Sequence, residues 1–171
     1  RCAAAVNDPI TGWRMLRGDE LGAIFAESIA RKIDSGIFAN SIVSSSIVKK
    51  IADHYNLQFK ETLTGFKWLA KIENLTFGYE EALGYSVDSV TVNDKDGISA
   101  AITLAQIATD LAAEGKTLLD LLDEIWARHG FHATEQISIR LSDLSKVGVI
   151  LGGLRSNPPK EIAGRSVTAI D

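Results

Sequence analysis

The chain has 171 residues, 46% of them hydrophobic and 23% charged, with 18 basic against 22 acidic side chains and a formal net charge of −4. That supplies a core of ordinary size in one or two domains. Scattered basic residues on a mildly acidic chain argue against nucleic acid as the main partner, and no apolar run approaches the roughly 18 residues that a membrane span needs.

Cys2 is the one cysteine, which excludes an internal disulfide framework, and His54, His129 and His132 have no thiol partners for a zinc site. A reducing, cytoplasmic setting is expected. The opening Arg-Cys-Ala, without methionine, points to a fragment of a longer protein. Cys2 to Val6 reads as a short buried strand, turned at Asn7-Asp8-Pro9 and paired with Trp13 to Leu16.

Gly18-Asp19-Glu20 opens the first helix, with Asp19 as candidate N-cap and Leu21, Ile24, Phe25 and Ile29 at helical spacing until Asp34-Ser35-Gly36. Ile37 to Ser44 has strand character. Ser44-Ser45-Ser46 then caps a helix whose apolar face is Ile47, Val48, Ile51 and Tyr55. Leu57 to Thr64 alternates as a strand, with Leu57, Phe59 and Leu63 on the inner side, and Gly65 breaks it before a short helix with Trp68, Leu69 and Ile72 inside. Strands and helices alternating at this spacing predict an α/β fold with a mixed, mainly parallel sheet flanked by helices. In such sheets ligands gather at the carboxyl ends of strands, where Thr64-Gly65-Phe66 and Tyr79-Glu80-Glu81 both fall.

Asp96 caps the longest helical tract, whose core face reads Ile98, Ala101, Ile102, Ala105, Ala108 and Ala112. Thr117 and Asp120 form a capping box for a helix carrying Leu118, Leu121, Leu122, Ile125 and Trp126, stopped at His129-Gly130. Gln136 to Leu141 alternates, and Ser142 caps a helix through Leu154. Asn93-Asp94-Lys95-Asp96-Gly97 fails as a calcium loop, because its first position would be Val92 and its twelfth Thr103. No Walker A, G-x-G-x-x-G or G-x-S-x-G sequence is present.

The stretch that carries chemistry is Phe77-Gly78-Tyr79-Glu80-Glu81-Ala82-Leu83-Gly84-Tyr85, two carboxylates framed by glycines and aromatics. Neighbours on a strand point to opposite faces, so Glu80 and Glu81 share a ligand only if the backbone turns there. A carboxylate accepts hydrogen bonds from two neighbouring hydroxyls at once, which suits the diol of a sugar ring.

This stretch through Ala101, together with Thr62-Leu63-Thr64-Gly65-Phe66-Lys67-Trp68, resembles the third domain of the α-D-phosphohexomutases, in the phosphoglucomutase, phosphomannomutase and phosphopentomutase branch. The resemblance implies residues 1–17 as the end of the second, metal-loop domain, 18–131 as the third, sugar-binding domain, and 132–171 as the start of the fourth. It implies a full-length isomerase that moves a phosphoryl group between C1 and C6, or C5 of a pentose, through a phosphoserine. Mg²⁺ would be held by aspartates outside this chain, and the fragment alone would be inactive. Its partners would be a phosphorylated hexose or pentose and the remaining domains of the parent enzyme.

By the same resemblance, Glu80 matches the glutamate that contacts the sugar hydroxyls. Thr64, Gly65 and Phe66 match a second sugar-contacting turn, and Lys95 matches a lysine near the substrate. Arg1 falls at the end of the metal loop and Glu81 is the intervening acid, so both are active-site candidates. Ala82 departs from the family's serine, which leaves the sugar open between glucose, mannose and pentose. A catalytically silent sugar-phosphate binding module and a structural α/β interaction domain remain as alternatives.

Overall fold

The alternation of short strands and helices closes into a four-stranded sheet of order β4-β3-β5-β6, in a computed structural model that describes residues 1–135, 138–162 and 164–168. β3 (Ile37–Ser41), β4 (Gln58–Thr62) and β5 (Leu75–Glu80) run parallel, and β6 (Gly84–Ser86) returns antiparallel from β5. A parallel return needs a crossover, supplied by α2 (Ile47–His54) after β3 and α3 (Phe66–Leu69) after β4. Phe38, Ala39, Asn40 and Ser41 of β3 are all buried, as a central strand covered on both faces requires.

One face of the sheet packs Phe38, Phe77 and Tyr79 against Leu21, Ile24 and Phe25 of α1 (Gly18–Ala30) and Val48 and Ile51 of α2. α4 (Gly97–Ala113) and α5 (Leu118–His129) extend this core with Leu104, Ile107, Leu121 and Ile125. The other face holds a smaller cluster of Ala39, Phe66, Leu69 and Leu75. Each such side chain contributes roughly 1.5 to 3 kcal/mol when fully buried. A Cβ on Gly22 would lie 2.5 Å from the Tyr79 ring, so the missing side chain is what lets α1 rest on β5.

The chain divides into two compact units, Arg1–Thr134 and Glu135–Asp171. The first also contains a hairpin, β1 (Ala5–Asp8) with β2 (Gly12–Met15). Its turn is Pro9 to Thr11 rather than Asn7 to Pro9, because Asp8 Oδ1 accepts the Ile10 and Thr11 amides at 2.8 and 3.0 Å. Strand β1 is half exposed, not buried. The second unit contains α6 (Ser145–Ser156) and the two-residue strands β7 (Glu161–Ile162) and β8 (Arg165–Ser166). Leu144, not Ser142, holds the N-cap position of its helix, and Asp143 Oδ1 accepts the Ser145 amide at 3.0 Å. Of the alternating tract, Ser138 to Leu141 lie in no strand, and Gln136 and Ile137 lie outside the described residues.

Three further sequence readings are corrected. α4 buries Ala100, Leu104, Ile107 and Leu111, and leaves Ile98 and Ile102 74% and 67% exposed. That helix is apolar nearly all round, so periodicity alone admits two stripes; the stripe with three large side chains buries more area. Leu63 and Trp68 are exposed as well, because β4 is an edge strand and α3 turns only Phe66 and Leu69 inward. Asp19 is no N-cap: Arg17 holds that position, with its amide donating to Glu20 at 2.8 Å, and α1 ends at Ala30 rather than near Asp34.

The cap at Asp96 is as expected, its carboxylate accepting the Ile98 and Ser99 amides, both at 3.0 Å. These bonds hold its acid below the ordinary carboxylate range. Asp96→Ala should lower stability by about 0.5 to 2 kcal/mol, measured as a shift in the denaturant midpoint at constant slope. The Thr117 and Asp120 capping box of α5 is also present.

Candidate functional site

β5 ends at Glu80, which pairs with Gly84 across a three-residue turn, Glu81-Ala82-Leu83. Such loops close with a residue in the left-handed region, and here it is Leu83 at φ +64°. A bulky side chain is rare at that angle, so the surroundings must fix the turn. The Leu83 carbonyl accepts the Cys2 amide at 3.2 Å, and the Ala82 carbonyl accepts the Arg1 guanidinium at 2.6 Å. The Glu81 amide donates to Ser44 Oγ at 3.1 Å. A Cβ on Gly18 would lie 1.7 Å from the Glu81 carbonyl oxygen, so the first residue of α1 abuts the turn directly.

Glu80 turns its side chain toward the start of α3, where Oε1 accepts the Gly65 amide at 2.5 Å. Gly65 has φ +110°, a conformation L side chains rarely adopt, which explains why glycine separates β4 from α3. Phe66 is buried beside it, and Lys95 Nζ lies 5.2 Å from the centre of the Phe66 ring and 3.3 Å from Asp94 Oδ1. A Cβ on Gly84 would lie 3.2 Å from Lys95 Cδ and 3.5 Å from the Phe66 ring, so that glycine lets the lysine and the aromatic close in. Glu80, the adjacent Gly65 and Phe66, and Lys95 are thereby brought together from three separate places in the sequence. Thr64 is exposed next to Gly65.

Glu81 takes a different set of partners. Its Oε2 accepts from Ser44 Oγ at 3.1 Å and Ser41 Oγ at 3.3 Å, away from Gly65 and Lys95. Arg1 reaches the same turn through a main-chain oxygen. The backbone does turn at Glu81, yet the two glutamates share no partner: Glu80 meets Gly65, and Glu81 meets Ser41 and Ser44.

Beneath the turn, Tyr79 and Tyr85 lie with rings 6.3 Å apart and 4° from parallel. The Tyr79 hydroxyl donates to Asp19 at 2.9 Å, and Tyr85 to the Gly18 carbonyl at 3.1 Å. Burial, with the Asp19 charge added, pushes the Tyr79 phenol far up; burial does the same to Tyr85, so both stay protonated donors. Asp19 Oδ1 also accepts the Ser45 amide at 2.8 Å, and Thr134 donates to Oδ2. Sequence reasoning took Asp19 for a cap and the serine run for another. Within the run it is Ser45 whose Oγ accepts the Ile47 amide at the head of α2, at 3.2 Å, while the Ser46 hydroxyl makes no capping bond and meets His132 Nδ1 at 3.0 Å. A legible signal was the position of three serines at the carboxyl end of a predicted strand.

A separate cleft of about 250 Å³, lined by Arg14, Arg17, Asp19, Ser45, Trp126 and His132 among others, contains none of the sugar-contact candidates Glu80, Thr64, Gly65, Phe66 and Lys95. Its cations are engaged: Arg14 clamps Glu20 at 2.9 and 3.1 Å, and Arg17 donates to the Thr134 carbonyl at 2.6 Å. A carboxylate accepts from hydroxyls and an ammonium donates to a hydroxyl or phosphate. Among the described residues no cluster of three or more His, Cys, Asp or Glu could hold a metal ion, so the Mg²⁺ implied by the resemblance has no ligand set there.

The family described as "Phosphoglucomutase/phosphomannomutase, alpha/beta/alpha domain III" matches residues 17–129. The chain belongs to the α-D-phosphohexomutase family. A Haemophilus influenzae protein named "Probable phosphomannomutase" is 46% identical over 169 residues, covering 98% of this chain and 35% of that protein. A Staphylococcus aureus phosphoglucomutase is 33% identical over 167 residues, covering 90% of this chain and 30% of its own. The chain therefore spans about a third of the length of the curated relatives it matches. The open form of the Paramecium phosphoglucomutase pp63/parafusin superposes with a TM-score of 0.63 at 22% identity, over 82% of this chain and 26% of that one, which shows the shared fold. This family fragment, centred on the third domain, is an α/β unit of a mutase family, and among its described residues no helix is long and apolar enough to cross a membrane.

Proposed function

We propose that this chain is the sugar-recognition portion of a cytoplasmic phosphosugar mutase, which transfers phosphate between C1 and C6, or C5, of a hexose or pentose phosphate through a phosphoserine. Residues 18–131 form its third domain, between the end of the second at residue 17 and the start of the fourth at residue 132. Magnesium would bind in the metal loop of the parent protein, outside the described residues, where it would stabilise charge on the transferring phosphoryl group. The observation that carries the reading is the convergence on Glu80 of Gly65, Phe66 and Lys95, at the carboxyl end of a parallel strand. Glu80 accepts from a vicinal diol, Lys95 donates to a neighbouring hydroxyl or phosphate oxygen, and Phe66 and Gly65 border the ring. Arg1 supports the turn from the metal-loop side.

Phosphoryl transfer needs a phosphorylated nucleophile and an oriented metal ion, and the proposal places both elsewhere in the parent protein. The 171-residue chain alone should therefore show no turnover of glucose 1-phosphate, mannose 1-phosphate or a pentose 1-phosphate. A protein that adds the family's remaining domains should turn over at least one of them. An active isolated chain, or an extended protein inert toward all three, would sink the proposal.

A further inference from the structure

We infer that Ser44 is a positioning residue for substrate recognition: its single hydroxyl fixes the Glu80 turn by holding both the main chain and the side chain of Glu81. The inference rests on the function proposed above. Ser44 Oγ accepts the Glu81 amide at 3.1 Å and donates to Glu81 Oε2, also at 3.1 Å, closing a ring on one residue. Ser41 Oγ lies 2.8 Å from Ser44 Oγ and 3.3 Å from the same carboxylate oxygen, so its proton completes the set. With Oε2 held by the two serines, the Glu81 carboxylate is turned to the serine side of the turn, which makes Glu81 an anchor rather than a ligand.

Anchoring matters because the turn is strained at Leu83 and carries Glu80 on its first arm. Arg1 and the Cys2 amide hold the second half of the turn through the Ala82 and Leu83 carbonyls. Ser44 holds the first half, next to the residue that meets the sugar. It lies in the β3 to α2 connection, half-buried and outside the apolar core, with its own amide bonded to the Ser41 carbonyl at 2.9 Å. Removing its hydroxyl loosens the turn without emptying the core, so the effect on recognition separates from the effect on folding. Interactions that keep a binding group in its productive geometry act through the group they hold, and small displacements cost large factors in rate.

The test compares Ser44→Ala and Ser44→Thr. In the 171-residue chain, hydrogen exchange of the Glu81 amide should quicken about tenfold or more in Ser44→Ala and stay near wild type in Ser44→Thr, with a cooperative thermal transition retained in both. In the protein carrying the remaining domains, kcat/KM should fall about tenfold for Ser44→Ala and recover in Ser44→Thr. Unchanged Glu81 exchange in Ser44→Ala overturns the inference, as does an unchanged kcat/KM in an active protein. A wild-type protein without mutase activity overturns the proposed function instead, and amide exchange alone then decides whether Ser44 holds the turn.

Discussion

Glu27→Ala should cost the fold about 3 kcal/mol, the lower end of the range for removing one partner of a buried ion pair. Glu27 sits on α1, fully buried, and accepts from the Tyr55 hydroxyl at 2.8 Å, Arg31 Nε at 3.0 Å, His129 Nε2 at 3.1 Å and Arg128. One carboxylate thus ties α1 to the end of α2 and to the last turn of α5. Its loss strands donors in different degrees. The Arg31 and Arg128 side chains are 37% and 35% exposed and regain water, which keeps the cost low in the range; His129, at 3%, cannot. Urea unfolding of Glu27→Ala against wild type checks this, and a loss below about 1 kcal/mol would show the network to be dispensable.

The same network sets the direction of the pH dependence. Burial alone would raise the Glu27 acid, but hydrogen bonds from Tyr55, Arg31 and His129 and the charge of Arg31 outweigh it, and the net shift is downward. A lowered acid contributes stability that is present above its ordinary value near 4.5 and lost as pH falls through the folded value. His129 is lowered too, by burial first and by His54 and Arg128 beside it, against the pull of Glu27. The unfolded chain therefore takes up the His129 proton first, and stability falls as pH drops below about 6.5. Both effects run the same way, with the histidine acting at the higher pH. Thermal midpoints should decline on acidification from pH 7, and His129→Gln should flatten the first part of that decline.

Much of the fold was legible because strands and helices here keep their own periods: β3, α2, β4, α5 and the caps at Asp96 and Thr117 stand where spacing and capping chemistry put them. The exceptions share one cause, the choice between surfaces that only the tertiary fold makes. Nothing in the pattern of α4 says which of two apolar stripes meets β6, and nothing in the alternation of Leu57 to Thr64 says that β4 is an edge. The candidate site was legible at Gly65, Phe66, Glu80 and Lys95, whose types and positions draw attention singly. The partners of Glu81 were not, because Ser41 and Ser44 are 40 and 37 residues away, and a serine before a helix has a sufficient local explanation as a cap. The close approach of Gly18 to the Glu81 carbonyl is likewise visible only once α1 is docked.

Glu80→Gln should lower kcat/KM about ten- to a hundredfold in the protein that carries the family's remaining domains. The amide keeps the size of the side chain and an oxygen for the Gly65 amide, so the turn to α3 survives and the charge alone is removed. Charge-assisted hydrogen bonds to a diol are worth roughly 1.5 to 3 kcal/mol, which converts to that factor. On the mechanism proposed above, the loss should reach kcat as well as KM, because a bisphosphorylated sugar would have to be gripped by the same hydroxyls after turning end for end. Glu81→Gln should cost far less, since its amide oxygen still accepts from Ser41 and Ser44.

The direct measurement is the ratio of kcat/KM between Glu80→Gln and Glu81→Gln in that protein, with circular dichroism to establish that both are folded. The account predicts that Glu80→Gln is the slower enzyme by at least about tenfold. Equal losses, or a larger loss at Glu81, would contradict it and place the sugar on the serine side of the turn.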